Sequence, residues 1–571
     1  MSQASPVSKL PIEILGRCFF LLMRDNPPSL YAGLNPEPDN DFGEIVVMRG
    51  PQACKGPVLG WLTVTHTCSH WREVALKQPH LWGQLPFNLG PDWVASFLSR
   101  AQATPLSVRT GRVSYAIPIP IWGKIQRLQQ AVLDTIQQHL DQIEDIHIGD
   151  LVLSQTDSSI TYANPFPTGG YRRDEFFAYL ATLLQRPAPV LRELCLLTND
   201  ANTIISLPPN FNAPGLTELS LSRVGISQPF PFFQSLTRLR LHTIKPMPSY
   251  EPLFHILENN PNLQVLDLIT VVSPVLRVDA APTRQIDLPH LSILNLHDHV
   301  ACCAGLLRVL CFPRTTAVRV TVMASNGSES CTAVAELLAP HLHRQHPAIT
   351  EMLIDGLTLE YWPGQSQPIR PPHERSRSNK PVLTLTIRIP SLLAFVASGN
   401  LVHVPALRAA VEALSPTTIR KLVLYQFTEP EVLSAFPSVR SLEIHRKSVE
   451  AISLLIATSP TATSPTATSD EGTVNFMVLP SLDFIRVCRV DLTKDNSMGS
   501  SMLYHRTCID ATLDMLRRRR GLGRPVRGLK LTGCTILEAD LLELREVVPT
   551  ILEDISATVV IASSESNMYC G

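Results

Sequence analysis

The sequence predicts an α/β chain in which a small helical N-terminal module leads into an irregular solenoid of parallel strands and helices. Two observations carry that prediction. The hexapeptide pattern apolar-x-x-apolar-x-apolar recurs as a repeat from Ile143 to Leu531, and the first hundred residues hold an apolar, tryptophan-bearing cluster. A strand of this form cannot bury its apolar edge alone, so repetition implies stacked units sharing one core beside a parallel sheet. At 571 residues the chain is long enough for several domains or one long solenoid.

The N-terminal elements follow from side-chain spacing. Pro11 suits the first turn of a helix, and from Ile12 to Arg24 only Glu13, Arg17 and Arg24 are charged. At about 100° per residue those charges share one narrow stripe, leaving Ile12, Ile14, Leu15, Cys18, Phe19, Leu21, Leu22 and Met23 around the rest. One core needs one face, so a partner protein is expected to cover another. Val64, Cys68, Trp71 and Ala75 fall at i, i+4, i+7 and i+11 and predict a single amphipathic helix. Pro79 ends it, and the turn delivers Leu81, Trp82 and Leu85 as a second apolar cluster. Between the two helices, residues 25–60 are rich in proline and glycine and read as an exposed loop.

Leu10-Pro11-Ile12-Glu13-Ile14-Leu15, then Val64 and Cys68, Trp71-Arg72, Ala75 and Leu81-Trp82 resemble the F-box, in the form common in large fungal families. The resemblance covers residues 8–87 and departs from the family pattern in the long insertion at 25–60. It implies docking on a Skp-type adaptor by Leu10, Pro11, Ile14, Leu15, Trp71, Leu81 and Trp82, or a core role behind that surface. For Trp71 the core role is expected.

Residues 88–142 read as a helical connector and cap, with a helix over Pro91 to Ala103, a strand over Pro105 to Val108 and a helix over Lys124 to Ile143. From 143 to 562 the hexapeptide recurs, for example at Leu191/Leu194/Leu196, Leu216/Leu219/Leu221, Leu236/Leu239/Leu241, Leu263/Leu266/Leu268 and Leu291/Leu294/Leu296. It returns at Ala317, Ile349, Val382, Ile419, Val439, Leu482 and Val526. Its starts lie 20 to 28 residues apart in the central units, and a proline often stands just before the strand. This resembles leucine-rich repeats in period and differs in detail: the asparagine or cysteine expected eight residues after the first leucine is present as Asn199 and Cys534, but Val224, Ile244 and Val271 stand there elsewhere. The expected solenoid is therefore irregular. Residues 364–381 and 458–472 read as flexible loops, the second holding Ser459 and Ser464 before prolines as candidate phosphorylation sites, and 563–571 as a frayed tail.

The chemistry sought is absent from the sequence. There is no glycine-rich phosphate loop, G-x-S-x-G elbow, H-E-x-x-H or paired CxxC, so no enzyme, cofactor or metal is expected. His341, His343 and His346, with His297 and His299 second, are the nearest approach to a metal cluster and read as ordinary surface histidines. The letters Asn326-Gly327-Ser328 match a glycosylation acceptor, but nothing in the sequence routes the chain to secretion. Twelve cysteines without paired spacing fit buried thiols of an intracellular protein, cytoplasmic or nuclear. A net charge of −1 argues against general nucleic-acid binding, and no apolar run is long enough for a membrane span. The run Arg517 to Arg520 reads either as a localisation or anionic-partner patch or as the solvated end of a helix.

What remains is surface. Residues alternating with the apolar ones face the open side of the sheet: Glu218, Ser220 and Ser222; Arg238, Arg240 and His242; Asp267; Asn295 and His297; Glu351 and Asp355. Among these, Arg238, Arg240, His242, Asn295 and His297 are the candidate target-binding residues. With the F-box, this stripe implies a substrate receptor of a Skp-cullin-F-box ubiquitin ligase, the adaptor linking it to a cullin. The alternative is a protein-binding scaffold without ubiquitination.

Overall fold

The computed structural model describes residues 10–26, 28, 59–110, 122–149, 173–198, 205–226, 233–244, 250–271, 284–323, 331–343, 349–355, 358–363, 381, 383–388, 404–414, 416–425, 430–445, 479–490, 492, 508–553 and 558–560. Two compact units form, Met1–Leu276 with Ile286–Leu291, and Arg277–Gln285 with Ser292–Gly571.

The first unit opens with α1 (Ile12–Asp25), a 3-10 segment (Gly60–His66), α2 (Ser69–Leu76), a 3-10 turn (Pro79–Trp82) and β1 (Gln84–Leu85). The single helix expected across Val64 and Ala75 is broken here. Thr63, Thr65 and Thr67 each donate a hydroxyl hydrogen bond to a backbone carbonyl three or four residues back, to Gly60, Leu62 and Thr63 at 2.9, 2.7 and 3.2 Å. Such back-bonding competes with regular helix. Cys68 is extended and acts as the cap of α2, its sulfur accepting from the Trp71 amide at 3.4 Å. It is therefore exposed rather than part of the apolar stripe.

Beneath these elements lies an aromatic core. The rings of Trp61 and Trp82 meet at 5.2 Å, and Trp82 and Phe97 at 4.9 Å, both edge-on. The Trp82 indole donates to the Ala75 carbonyl at 3.0 Å, and the Arg100 guanidinium lies 4.5 Å over its ring. Phe97 belongs to α3 (Pro91–Ala101), the helix expected to begin at Pro91.

The chain then alternates strands and helices: β2 (Leu106–Thr110), α4 (Trp122–His139), β3 (Ile143–Ile148), α5 (Arg173–Leu183), β4 (Glu193–Leu197), β5 (Ile205–Leu207), β6 (Glu218–Ser222), β7 (Val224–Ile226), β8 (Arg238–His242), α6 (Tyr250–Glu258), β9 (Val265–Ile269) and β10 (Ile286–Asp287). β1, β2, β3, β4, β6, β8 and β9 pair in that order, every pairing parallel, and β5 pairs β7 in a second small ladder. The register stacks Leu194, Leu219, Leu239 and Leu266 in one buried row and Leu196, Leu221, Leu241 and Leu268 in the next. This is what the leucine spacing predicts.

Two features repeat along that ladder without a glycine or asparagine to announce them. Arg223, Thr243 and Thr270, the residues directly after β6, β8 and β9, all hold positive φ (57, 52 and 49°). Each unit thus turns off the sheet at one fixed register. The asparagine-ladder positions Val224, Ile244 and Val271 are instead buried. Asn260 supplies the polar tie elsewhere: its side chain accepts from the Leu236 amide at 2.8 Å and donates to the Phe233 and Ile256 carbonyls at 2.8 and 2.7 Å.

The second unit contains β11 (Ile293–His299), α7 (Val300–Val309), β12 (Leu310–Cys311), β13 (Ala317–Met323), α8 (Cys331–His343), β14 (Ile349–Asp355), β15 (Thr358–Pro363) and β16 (Leu383–Arg388). Beyond them come the helix Val404–Ala413, β17 (Lys421–Tyr425), β18 (Ser441–His445), β19 (Phe484–Cys488), the helix Cys508–Gly521, β20 (Gly528–Thr532), β21 (Thr535–Leu537), the helix Glu538–Val547, β22 (Thr550–Glu553) and β23 (Thr558–Val560). Its sheet runs β11, β13, β16, β15, β14, β17, β18, β19, β20, β22.

Chain order is broken in the middle of that sheet. β14 does not pair β13; β16 does, and β15 runs antiparallel between β16 and β14. A wholly parallel sheet is thus corrected at this point. Only residues 356 and 357 separate β14 from β15, and a two-residue connection permits antiparallel pairing alone. The open side of the sheet also changes character here. Leu353, Trp362 and Val423 form a buried cluster on the face that carries Glu351, so this stretch is core and not a solvated stripe. The expected loops at 364–381 and 458–472, Ser459, Ser464, Asn326 and the tail 563–571 lie outside the described residues, Pro381 excepted.

Candidate functional site

α1 presents two apolar faces. Leu15, Gly16, Phe19 and Met23 turn inward, where Phe19 meets Trp71 at 5.4 Å and a Cβ on Gly16 would come within 2.9 Å of the Gln78 side chain. On the other side Ile14 is 49 % exposed, Leu21 50 % and Leu22 40 %, with Leu10 at 39 % just ahead of the helix. Glu13, Arg17 and Arg24 border this face, as the spacing predicts.

The expected adaptor-binding residues therefore separate. Leu10, Pro11 and Ile14 are exposed; Trp71 is half-buried against Phe19; Leu15, Leu81 and Trp82 are core. Helical spacing alone could not divide Ile14 from Leu15, because nearly the whole circumference is apolar. The insertion at 25–60 leaves the core closed: the Trp61 amide donates to the Asn26 carbonyl at 2.8 Å, so its two ends meet.

On the first unit's sheet, the side opposite the leucine rows is polar. Arg238 pairs with Glu218 at 3.2 Å, and His242 lies 3.2 Å from Asp267, which is buried. Arg240 stands between them, next to Ser220 and Asp267 in the register. Asn295 and His297 belong to the second unit, on β11, with Asn295 buried.

The neighbouring strands β2, β3 and β4 carry a network that the sequence reading did not single out. Arg109 reaches Asp145 at 2.9 Å and Glu193 at 3.4 Å, and His147 lies 2.9 Å from Glu193 and beside Cys195 in the register. Burial opposes the imidazolium, but hydrogen bonds to Cys195 and Glu193 outweigh it and raise the His147 pKa to about 9. Burial likewise opposes the Glu193 carboxylate, yet His147, Arg109 and Arg238 hold its pKa below the usual range.

The second unit holds a comparable set. Glu443 and His445 on β18 and Cys488 on β19 are all buried, at 3, 7 and 4 % exposure, and one donor atom from each lies within 4.8 Å of the others. His445 Nε2 is 3.1 Å from Glu443 Oε1, and the Cys488 thiol donates to the same oxygen at 3.7 Å. The other oxygen, Oε2, faces cations: Arg486 at 3.5 Å and Lys421 at 4.0 Å. Burial opposes ionisation of Glu443, but His445, Arg486 and Lys421 hold its pKa below the usual range. Burial and the Glu443 charge push the Cys488 thiol up to about 12, so the isolated thiol is protonated and no nucleophile.

The remaining candidates resolve into structure. Arg517 pairs with Glu543 and Arg518 with Asp514 at 3.1 Å, while Arg519 and Arg520 donate to the carbonyls of Leu479 and Glu546 at 2.8 and 3.2 Å. The arginine run is thus tied down at the end of its helix. His341 Nε2 is 3.1 Å from the Thr316 carbonyl, with the imidazole 5.4 Å from the Phe312 ring; burial lowers its pKa. His343 and His346 lie outside the described side chains. Among the described residues no helix is long and apolar enough to cross a membrane. Comparison with known proteins adds nothing to this geometry: no family model matches the chain, and no curated protein matches it.

Proposed function

We propose that this chain is the target-binding subunit of a Skp-cullin-F-box ubiquitin ligase. In this reading α1 docks on a Skp-type adaptor, which links the chain to a cullin, and the repeat region, taken as an irregular leucine-rich-repeat-like solenoid, holds the target protein. The adaptor and cullin place the protein in the cytoplasm or nucleus, and catalysis belongs to other subunits.

The observation that carries the proposal is the second apolar face of α1. Ile14, Leu21 and Leu22, with Leu10 just ahead of the helix, are about half exposed, while the other side of α1 packs inward through Leu15, Phe19 and Met23. Completing the burial of four such side chains is worth about 3 to 6 kcal/mol before the costs of association. The closed base of the insertion supports the same reading, because it keeps α1 seated against the segment that carries Trp61.

The test is co-purification with a Skp-type adaptor, comparing wild type with Ile14→Asp, Leu21→Asp. The double change is expected to abolish the complex while leaving circular dichroism and melting unchanged, since both side chains already face solvent. Leu15→Asp, by contrast, places a charge in the core and should unfold the N-terminal module. A folded wild type that fails to bind any such adaptor would sink the ligase reading and leave a protein-binding scaffold.

A further inference from the structure

We infer that Glu443, His445 and Cys488 form a binding site for a divalent cation of the zinc type. The donor set is the argument's first part. One carboxylate oxygen, one imidazole nitrogen and one thiol from two adjacent strands lie within 4.8 Å of one another, and three protein ligands of mixed O, N and S type are what a zinc ion with one open position takes.

Spacing is the second part. Tetrahedral bonds of about 2.0 to 2.3 Å put neighbouring ligand atoms about 3.3 to 3.8 Å apart. Here the nitrogen–oxygen and sulfur–oxygen separations are 3.1 and 3.7 Å. These two separations lie within tenths of an ångström of the tetrahedral values, and the nitrogen–sulfur separation is within 4.8 Å.

Support around the ligands is the third part. Glu443 divides its two oxygens: Oε1 faces His445 and Cys488, and Oε2 is held by Arg486 and Lys421. Arg486 is fixed in turn, its Nε donating to Thr532 Oγ1 at 3.3 Å, and the Tyr425 ring lies 5.5 Å from the His445 ring. These neighbours do for the carboxylate what outer-sphere partners do in metal sites, fixing which oxygen points inward. The ion replaces protons: the thiol proton leaves to solvent, and the proton between His445 Nε2 and Glu443 Oε1 is displaced from Nε2, the bound ring carrying its proton on Nδ1. Two nearby cations oppose the incoming charge, and the carboxylate and the new thiolate offset them.

The experiment titrates the full-length chain with Co2+ alone and then displaces it with Zn2+. A thiolate-to-cobalt charge-transfer band saturating at one equivalent, bleached by zinc and lost in Cys488→Ser, is the expected result. Glu443→Gln should weaken zinc binding by more than the about 10- to 100-fold that loss of a supporting residue costs. A band that survives in Cys488→Ser overturns the assignment, as does its absence from folded wild type. Should Cys488→Ser not fold, the melting temperature of Glu443→Gln with and without zinc decides: an increase equal to that of wild type overturns the site.

Discussion

Among the described residues glutamate, histidine and cysteine meet in two places, and the two meetings differ in how much water they see. In the first unit Glu193 and Cys195 share β4 and His147 comes from β3; in the second Glu443 and His445 share β18 and Cys488 comes from β19. Each set has an arginine on its carboxylate, Arg109 or Arg486. Around His147 about a quarter of each ionic side chain remains exposed, so the set settles as an ordinary ion pair with a charged imidazole. Glu443 and His445 themselves are almost wholly buried, while Lys421 and Arg486 keep about a quarter of their side chains exposed, and the carboxylate must satisfy a thiol, an imidazole and two cations at once. The same three residue types thus give a surface charge ladder in one place and a preorganised donor cluster in the other. Burial, rather than composition, makes the difference.

That comparison can be broken most sharply by deleting the carboxylates. Glu443→Ala leaves Lys421 and Arg486 facing each other without their shared anion, and should cost about 3 kcal/mol of stability. Glu193→Ala leaves Arg109 free to turn to Asp145 and to water but removes one partner of His147, and should cost about 1 kcal/mol. Urea unfolding of both variants reads the ratio directly; equal losses would show that burial is not the deciding variable.

A smaller effect sharpens it through pH. His147 has a pKa near 9 when folded against about 6.5 for a free histidine, so its contribution is complete below about pH 6.5 and fades as pH rises through about 9. Allowing for solvent screening, about 1 to 2 kcal/mol should disappear over that window. The slope should vanish in His147→Gln, and a slope that persists there would assign it to another group.

The smallest effect concerns the turns between strands. Thr243 is β-branched and holds φ 52°, a region that costs a side chain of this kind about 1 kcal/mol. Thr243→Gly should therefore stabilise slightly or leave the melting temperature unchanged, where glycine elsewhere in a sheet protein would lower it.

How far the sequence speaks depends on whether a feature is periodic. The strands were legible because Leu194, Leu219, Leu239 and Leu266 repeat at one register, and each lies buried where the pattern puts it. The break between α2 and the 3-10 segment was not, because apolar spacing runs through Thr67 and Cys68 while the threonine hydroxyls act against it. Asp355-Gly356 is a strong hairpin signal, yet the hexapeptide at Ile349 and Val382 reads as ordinary repeats and hides the reversal. Glu443 and His445 are two residues apart, but Cys488 joins them only through the pairing of β18 with β19. No spacing rule along the chain could have found that cluster, nor told Ile14 from Leu15 on a helix apolar nearly all round.

The hydrogen bond from Trp61 to Asn26 has a practical consequence for anyone handling this protein. It makes the base of the long insertion a clasp, tying Asn26 to Trp61 at the edge of the helical core. Doubling the length held by such a clasp adds only about 0.6 kcal/mol of closure entropy. A reporter domain or affinity handle spliced there would ride beside α1 and report on what docks against it.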